Sequence, residues 1–365
     1  MRKVVVFGAT GFTGKLVVQS LADLGVTDVI IGGRNREKLE ELAEAHGGLE
    51  VRVADANSPE TLERLVDGAH VVVDTAGPFQ LYGEPVVRAA LAAGAHFLDT
   101  TGEQAYMARI MERYHGAAKQ KNLVVVNAQA FEFALGYLAA ARLAESHPDV
   151  HTIDVFNRVS GLGSSRGTQK SAVGAIVEEA LIRKGGRLVR RGLSPVPLRV
   201  QMPESDRIEM AAPFPGGEAL HLARVHPQVK NVTTNLVLPS RMAVPMMGVW
   251  SMRPILRGLA AVGALEAVKK RIDAGPEGPT DAERARQDFK VLARGRGNSG
   301  SHGVLISGRD PYGITGVIAA LGAKLLVQGP PRSTGVVSTD QAFGTATFLE
   351  ALAPHGVSVS EHVLD

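Results

Sequence analysis

A chain of 365 residues is longer than one hydrophobic core usually organises, so two domains are expected. Apolar residues at 45% and charged residues at 21% describe a folded globular chain, not a disordered one. A net charge of +3 without a Lys/Arg block leaves no nucleic-acid footprint, and the lack of cysteine excludes disulfides, thiolate metal sites and a thiol nucleophile.

The basic start "MRK" leads into "KVVVF", a short buried strand ending in a glycine turn, not the apolar region of a secretion signal. The helix "GFTGKLVVQSLADLG" follows, then strand "DVIIGG", the amphipathic helix "REKLEELAEAHGG" and strand "LEVRVAD". "SPETLERLVDG" is a helix with Ser58 as N-cap and Pro59 in its first turn. Strand "AHVVVDTAG", helix "EPVVRAALAAG", strand "AHFLDTTG", helix "QAYMARIMERYHGAAKQKN" and strand "LVVVNAQA" complete the series. Short apolar strands separated by helices predict an α/β, Rossmann-type, doubly wound parallel sheet.

Beyond residue 150 the pattern changes. "HTIDVFNRVS" alternates like a strand with one solvated face, and the turn "GLGSSRGTQ" leads to a helix "KSAVGAIVEEALIRKGG". Short β-like runs over 187–240, with "NVTTNLVLP", "FKVLARGRG" and "SHGVLISGRD", predict an inserted α+β domain on a largely antiparallel sheet. Thr280 is a plausible N-cap for "DAERARQDF". "YGITGVIAALGAKLL" and "QAFGTATFLEALAPHG" read as two helices before a last strand, "VSVSEHVL". The expected division is 1–130 plus about 310–365 for nucleotide binding, and 131–309 for substrate or dimer contacts. No stretch of about 18 uncharged apolar residues occurs, so no membrane span is expected and a cytoplasmic location is.

The loop "GATGFTG" places Gly8, Gly11 and Gly14 between a strand and a helix, where glycine lets the backbone approach a pyrophosphate and free N–H groups meet its charge. Thr10, Phe12 and Thr13 belong to the same candidate site. At the end of the second strand an NAD binder places a carboxylate for the ribose hydroxyls. Here Gly32 and Gly33 stand in that place and Arg34 follows, which suits a 2′-phosphate and predicts NADP(H). Arg36 and Lys38 either add to this or are solvated charges opening a surface helix. Asp55 after the third strand contacts the adenine edge or holds a turn. Thr75, Ala76, Gly77 and Pro78 after the fourth strand would line the ribose.

Taken together, "GATGFTG", "GGRNREKLEEL", "VDTAGPFQLYGEPVVRAALAAGAHFLDTTGE" and "ISGRDPYGITGVIAALGAKLL" resemble the saccharopine dehydrogenase-like oxidoreductases, with the trans-acting enoyl reductase branch the nearest in pattern. The resemblance covers residues 1–130 and about 276–365. It implies an NADP-binding Rossmann domain, an inserted α+β domain and C-terminal helices packing back near the cofactor. Its members resemble enzymes that reduce imines formed from amino acids or carbon–carbon double bonds of lipid-like chains. Relatives tend to carry an Asp-containing turn after the sixth strand; this chain has "FEFALGY", in which Glu132 is the available carboxylate.

Rival chemistries on such a loop lack their parts. No tyrosine has a lysine four residues on: Tyr82, Tyr106, Tyr114, Tyr137 and Tyr312 are followed there by Val86, Ile110, Ala118, Ala141 and Gly316. No thiol exists, and no metal site of His and carboxylate ligands is expected. The catalytic candidates are Tyr82 as proton donor or packing aromatic, Glu103 as proton relay or helix cap, and Arg166 in the turn 161–171 as an anion holder or part of a capped turn. Arg158 and Lys170 complete a loose cationic set with Arg166.

The Met- and Pro-rich segment 239–258 with the basic helix over 252–272 suits a greasy substrate, a subunit interface or a membrane surface. The expected function is NADP(H)-dependent hydride transfer to a C=C or C=N bond of a small or lipid-like substrate, in a homodimer without metal. A non-catalytic NADP(H)-binding sensor and an amino-acid or opine-type dehydrogenase are the alternatives.

Overall fold

A computed structural model describes residues 2–161, 163–177, 179–191, 198–238, 252, 255, 258 and 264–364. Most of segment 239–263, singled out above for its methionines, lies outside the described residues. The chain divides into two compact units: residues 1–134 with 312–355, and residues 135–311 with 356–365.

In the first unit, strands β1 (Lys3–Phe7), β2 (Val29–Gly33), β3 (Glu50–Val53), β4 (Ala69–Asp74), β5 (His96–Asp99) and β6 (Val124–Val126) alternate with helices α1 (Phe12–Asp23), α2 (Arg36–Ala45), α3 (Pro59–Val66), α4 (Phe79–Ala92) and α5 (Gln104–Gln120). Helix α6 (Phe131–Ser146) carries the chain from this unit into the second. There, β7 (Thr152–Val159), α7 (Arg166–Val177), β8 (Ala180–Lys184), β9 (Arg187–Arg191), β10 (Leu198–Gln201), β11 (Ile208–Pro213), α8 (Glu218–Val225) and β12 (Asn231–Leu238) precede α9 (Ala264–Asp273), α10 (Asp281–Arg284), β13 (Asp288–Gly297) and β14 (Gly300–Arg309). The chain returns to the first unit with α11 (Pro311–Gln328), β15 (Gly335–Val337), α12 (Thr339–Phe343) and α13 (Thr345–Leu352), and ends on β16 (Ser358–Leu364).

The first sheet has seven parallel strands in the order β15-β6-β5-β4-β1-β2-β3. Chain direction across the sheet reverses between β1 and β4, which puts a crevice at the carboxyl ends of those two strands. The central strands read Val4, Val5, Val6 and Val71, Val72, Val73, all at 0% exposure, because helices cover both faces. Sequence periodicity missed β15: three residues are too short a run to register, and the strand exists because it pairs with β6.

The second sheet has nine strands, with β10-β11-β12-β7-β13-β14-β16 as its main path and the β8–β9 hairpin attached at β12. Every pairing is antiparallel except β12 with β7. Strand β16 pairs with β14, so residues 356–365 belong with this unit and not with the nucleotide-binding one. The helix expected to run through "EEALIRKGG" stops at Val177, and that stretch forms β8 and its turn. Gly185 and Gly186 both take positive φ, 57° and 80°, the two-residue hairpin turn that glycine favours. The stretch "FEFALGY", where relatives tend to carry a turn, opens the 16-residue helix α6.

Among the described residues α11 alone is long and apolar enough to cross a membrane. It is 61% buried within the protein, packed so closely on α1 that a Cβ at Gly316 would lie 2.8 Å from the Leu16 carbonyl oxygen.

Candidate functional site

The cofactor loop is built by close approach. Gly8, at φ 78°, donates its N–H to the Gly32 carbonyl at 2.9 Å, and Ala9 donates to the same oxygen at 3.1 Å. A Cβ at Gly14 would stand 2.2 Å from the Gly8 carbonyl oxygen, so α1 can seat against the loop only with glycine there. Gly11 is the N-cap of α1 and brings no capping side chain, which leaves the first-turn N–H groups facing outward for an anion. These residues fit a dinucleotide pyrophosphate. Phe12 opens α1 and meets the ring of Tyr312 edge-on, 5.2 Å between centroids.

At the end of β2, a side chain at Gly32 would strike Leu65 at 2.4 Å, whereas at Gly33 the nearest atoms to a Cβ are 3.8 Å away. Space therefore does not forbid a carboxylate at position 33. Arg34 is exposed, with no hydrogen-bond or ion-pair partner among the described residues. Arg36 pairs with Glu40 at 3.4 Å and Asn35 caps α2 through the Lys38 N–H. Of the cations here, Arg34 is the one placed next to the loop-bonded strand end and unengaged, which is the arrangement a 2′-phosphate needs.

The other cofactor candidates carry structural duties. The Thr75 hydroxyl donates to the Phe7 carbonyl at 2.9 Å, and the Thr75–Ala76 backbone packs on Gly8. The Asp55 carboxylate accepts from the backbone and side chain of Asn57, at 2.8 and 3.0 Å, and so holds a turn. Ala76 donates to Asp74 at 2.8 Å, a Cβ at Gly77 would stand 3.5 Å from the Phe79 ring, and Pro78 is the N-cap of α4.

Glu103 has a task the sequence did not disclose. Its two carboxylate oxygens accept from the N–H groups of Phe79 and Gln80, at 3.0 and 2.7 Å. It therefore caps α4 from 24 residues away, and α4 begins at Phe79, ahead of the expected start at Glu84. The negative carboxylate neutralises the positive end of that helix. Tyr82, on the same first turns, is half-buried and packs on the apolar cluster around Phe79 and Tyr106. Arg166 donates to the Gly275 carbonyl through Nε at 2.9 Å and through Nη2. The Ser165 hydroxyl contacts that of Thr168 at 3.0 Å and accepts the Thr168 N–H at 3.2 Å. The turn 161–171 is thus an internally bonded cap tied to the 275–277 loop. Of the alternatives for these two residues, the hydrogen bonds made here are structural: Glu103 accepts from two backbone N–H groups, and Arg166 donates through Nε and Nη2 to a backbone carbonyl.

A carboxyl network lies under the carboxyl ends of β4, β5 and β6. Asp74 and Asp99 are register neighbours, both at 0% exposure. Asp99 accepts from Asn127 Nδ2 at 2.6 Å, the Ala128 N–H at 2.8 Å and the Thr101 N–H at 3.1 Å. Burial pushes its carboxyl up to about 6 despite these bonds. Burial also lifts Asp74 well above the usual carboxylate range, with the Asp99 charge adding to the rise. Gln129 donates its N–H to the Asp99 carbonyl and its Nε2 to Thr339, so the 127–130 loop is laced to β5 and α12.

Two residues past that loop is Glu132, in the first turn of α6. The neighbouring Phe131 N–H is anchored on Thr315 at 3.1 Å, and Phe133 lies over Gly102. Glu132 has no salt-bridge partner among the described residues, and burial pushes its carboxyl up to about 7. A carboxyl that titrates near neutrality suits proton delivery. Only its place after the sixth strand was visible in the sequence; its desolvation was not.

Comparison with known proteins identifies the family of each part of the chain. Residues 4–126 match the saccharopine dehydrogenase NADP binding domain, and residues 136–365 match a family of unknown function, DUF5938. The chain is 29% identical over 269 residues to a lipid droplet localized protein of Caenorhabditis elegans, covering 66% of this chain and 62% of that one. It is 37% identical over 134 residues to a Mycobacterium tuberculosis protein named as a trans-acting enoyl reductase, covering 35% and 32%. The chain thus spans less than two thirds of the length of these relatives. The solved apo saccharopine dehydrogenase (L-Glu forming) of Saccharomyces cerevisiae shares the fold over 100% of both chains, with a TM-score of 0.68 at 12% identity. The resemblance read from the sequence motifs, the two-domain α/β fold and the NADP-binding assignment are borne out.

Proposed function

Since the chain belongs to the DUF5938 family and joins it to a saccharopine dehydrogenase NADP-binding domain, we propose that it is an NADPH-dependent reductase of an activated double bond, with an enoyl C=C preferred over C=N. The observation that carries this is Glu132, a desolvated carboxyl without a cationic partner, two residues past a loop laced to the ends of β5 and β6. Gly8, Gly11, Gly14 and Arg34 would hold the cofactor, which supplies the hydride when bound. Glu132 holds the proton that completes the reduction, and the Asp99 network fixes the loop that leads to it. Tyr82, whose hydroxyl is not bonded among the described residues, is the second candidate donor.

Preference for an enoyl acceptor rests on what is missing for amino acids. Arg158 is paired with Glu209 and Asp288 and Lys170 with Asp273, so two of the three cations of this set are neutralised, and Arg166 is tied through Nε and Nη2 to a backbone carbonyl. The enoyl reductase name of one relative supports the same substrate class. A cytoplasmic homodimer is part of the proposal. The test is NADPH oxidation with trans-2-enoyl thioesters against amine plus keto-acid pairs. Turnover of the thioesters is expected. Tight NADPH binding without turnover of either would replace the proposal with the sensor reading.

A further inference from the structure

Strand β16 ends the second sheet, and among the described residues no strand pairs with its outer edge. An open edge is a template for another strand, and proteins blunt it by shortness, charge, proline or a bulge. The other strands that end a sheet follow this rule. β15 has three residues, β3 has four with Glu50 and Arg52 among them, and β10 has four with Arg199. β9 carries Arg187, Arg190 and Arg191. β16 has none of these protections. It runs for seven residues without proline, lysine or arginine, and it pairs with β14 in unbroken register from Ser358↔Ser307 to Leu364↔Ser301. Its one carboxylate, Glu361, is neutralised by Arg142 of α6 at 2.8 Å.

The pattern of the strand says what fits that edge. Side chains alternate along a strand, so Val359, Glu361 and Val363 share one face. On that face the strand reads the same in both directions, a valine on either side of the glutamate. Both valines are left to solvent, Val359 at 40% exposure and Val363 at 85%. Behind them on β14 stand Ile306, opposite Val359, and His302, opposite Val363. A palindromic face on an unprotected edge matches a second copy of itself run antiparallel.

We infer that β16 pairs antiparallel with β16 of a second copy about a two-fold axis at Glu361, which joins the two sheets edge to edge. In this register each Val359 stands opposite Val363 of the second copy, and all seven residues of the strand find a partner. Centring the axis on Ser360 or His362 would set a valine opposite Glu361 and carry the other valine past the end of the facing strand. The two Glu361 side chains meet at the axis, where like charges repel. Each already has its Arg142, so the four charges sum to zero and the repulsion is offset. The contact names the surface of the homodimer stated above and rests on that part of the reading; the hydride chemistry does not depend on it.

The experiment is sedimentation velocity of the full chain, with thermal unfolding and NADPH titration to check the fold of each variant. A strand-pair contact is small, so wild type is expected to dimerise with a Kd of roughly 1–100 µM. Val363→Lys should weaken the dimer roughly tenfold or more, with Tm and NADPH affinity unchanged because the side chain is exposed. Ile208→Lys, at an exposed position of β11, should dimerise as wild type does. The chain has no cysteine, so Glu361→Cys places a lone thiol at the axis, within disulfide reach of its copy. Mild oxidation should link this variant into a covalent dimer. It should leave Val363→Cys unlinked, since those two positions lie about 13 Å apart along the strands. A dimer that survives Val363→Lys, an equal loss in Ile208→Lys, or linkage of Glu361→Cys no better than that of Val363→Cys would overturn the β16 contact and leave the homodimer standing. A chain that is monomeric at every concentration would overturn both, and turnover of thioesters would still decide the reductase reading separately.

Discussion

Replacing Glu132 by Gln removes one proton-exchanging group while keeping the shape of the side chain. Burial holds the folded-state value at about 7 against an ordinary 4.5. Because the folded value is the higher one, the fold favours the protonated form. That contribution is complete below about pH 4.5 and is lost as pH rises through about 7. At about 1.4 kcal/mol per pKa unit, the loss has a ceiling near 3 kcal/mol. The residue retains some surface, so solvent screening brings the expected loss to about 1–2 kcal/mol. Gln never ionises and escapes it. Denaturant unfolding should therefore show the variant close to wild type at pH 4.5 and about 1–2 kcal/mol more stable at pH 8. Activity should move the other way. Loss of a general acid lowers turnover roughly 100- to 10,000-fold. Wild-type kcat/KM for NADPH oxidation should be level below pH 7 and fall about tenfold per unit above it, and the variant should lose that break. A stability gain of equal size at both pH values, or a pH break that survives in the variant, would refute the assignment.

Other expectations follow from the same geometry. Arg34→Ala should weaken NADPH binding by roughly 10- to 100-fold and leave NADH binding unchanged, read by fluorescence titration; equal losses would mean that Arg34 does not meet the 2′-phosphate. Glu103→Ala uncaps α4 and should cost about 2–3 kcal/mol in urea unfolding, whereas a variant of wild-type stability with abolished turnover would restore its catalytic role. Gly14→Ala should lose NADPH binding and several degrees of Tm together, since its Cβ would stand 2.2 Å from the Gly8 carbonyl oxygen. Tyr82→Phe separates the two proton donors: a change of less than about threefold in kcat supports Glu132, and a loss of 100-fold or more supports Tyr82.

Much of the first unit was legible because its signals are local. A valine run, a glycine turn and a helix within about 20 residues say dinucleotide, and the absence of an acid after β2 says NADP(H). The hairpin at Gly185-Gly186 was equally local, but its flanking apolar residues fit a helical period as well, and the helix reading prevailed over the turn chemistry. The second unit was legible only as a type, because strand partners such as β12 and β7 lie some 80 residues apart in sequence.

The sequence by itself determined the strand–helix alternation of the first unit, a glycine loop suited to a pyrophosphate and the lack of an acid after β2 that pointed to NADP(H), since each depends on neighbours along the chain. Tertiary structure alone decided that Glu103 caps α4, that Arg166 holds a loop, that β15 extends the first sheet and β16 the second, and that the Glu132 carboxyl is desolvated and Asn157 buried. Desolvation and hydrogen-bond satisfaction depend on what surrounds a side chain in space, and a linear pattern of residue types does not contain that.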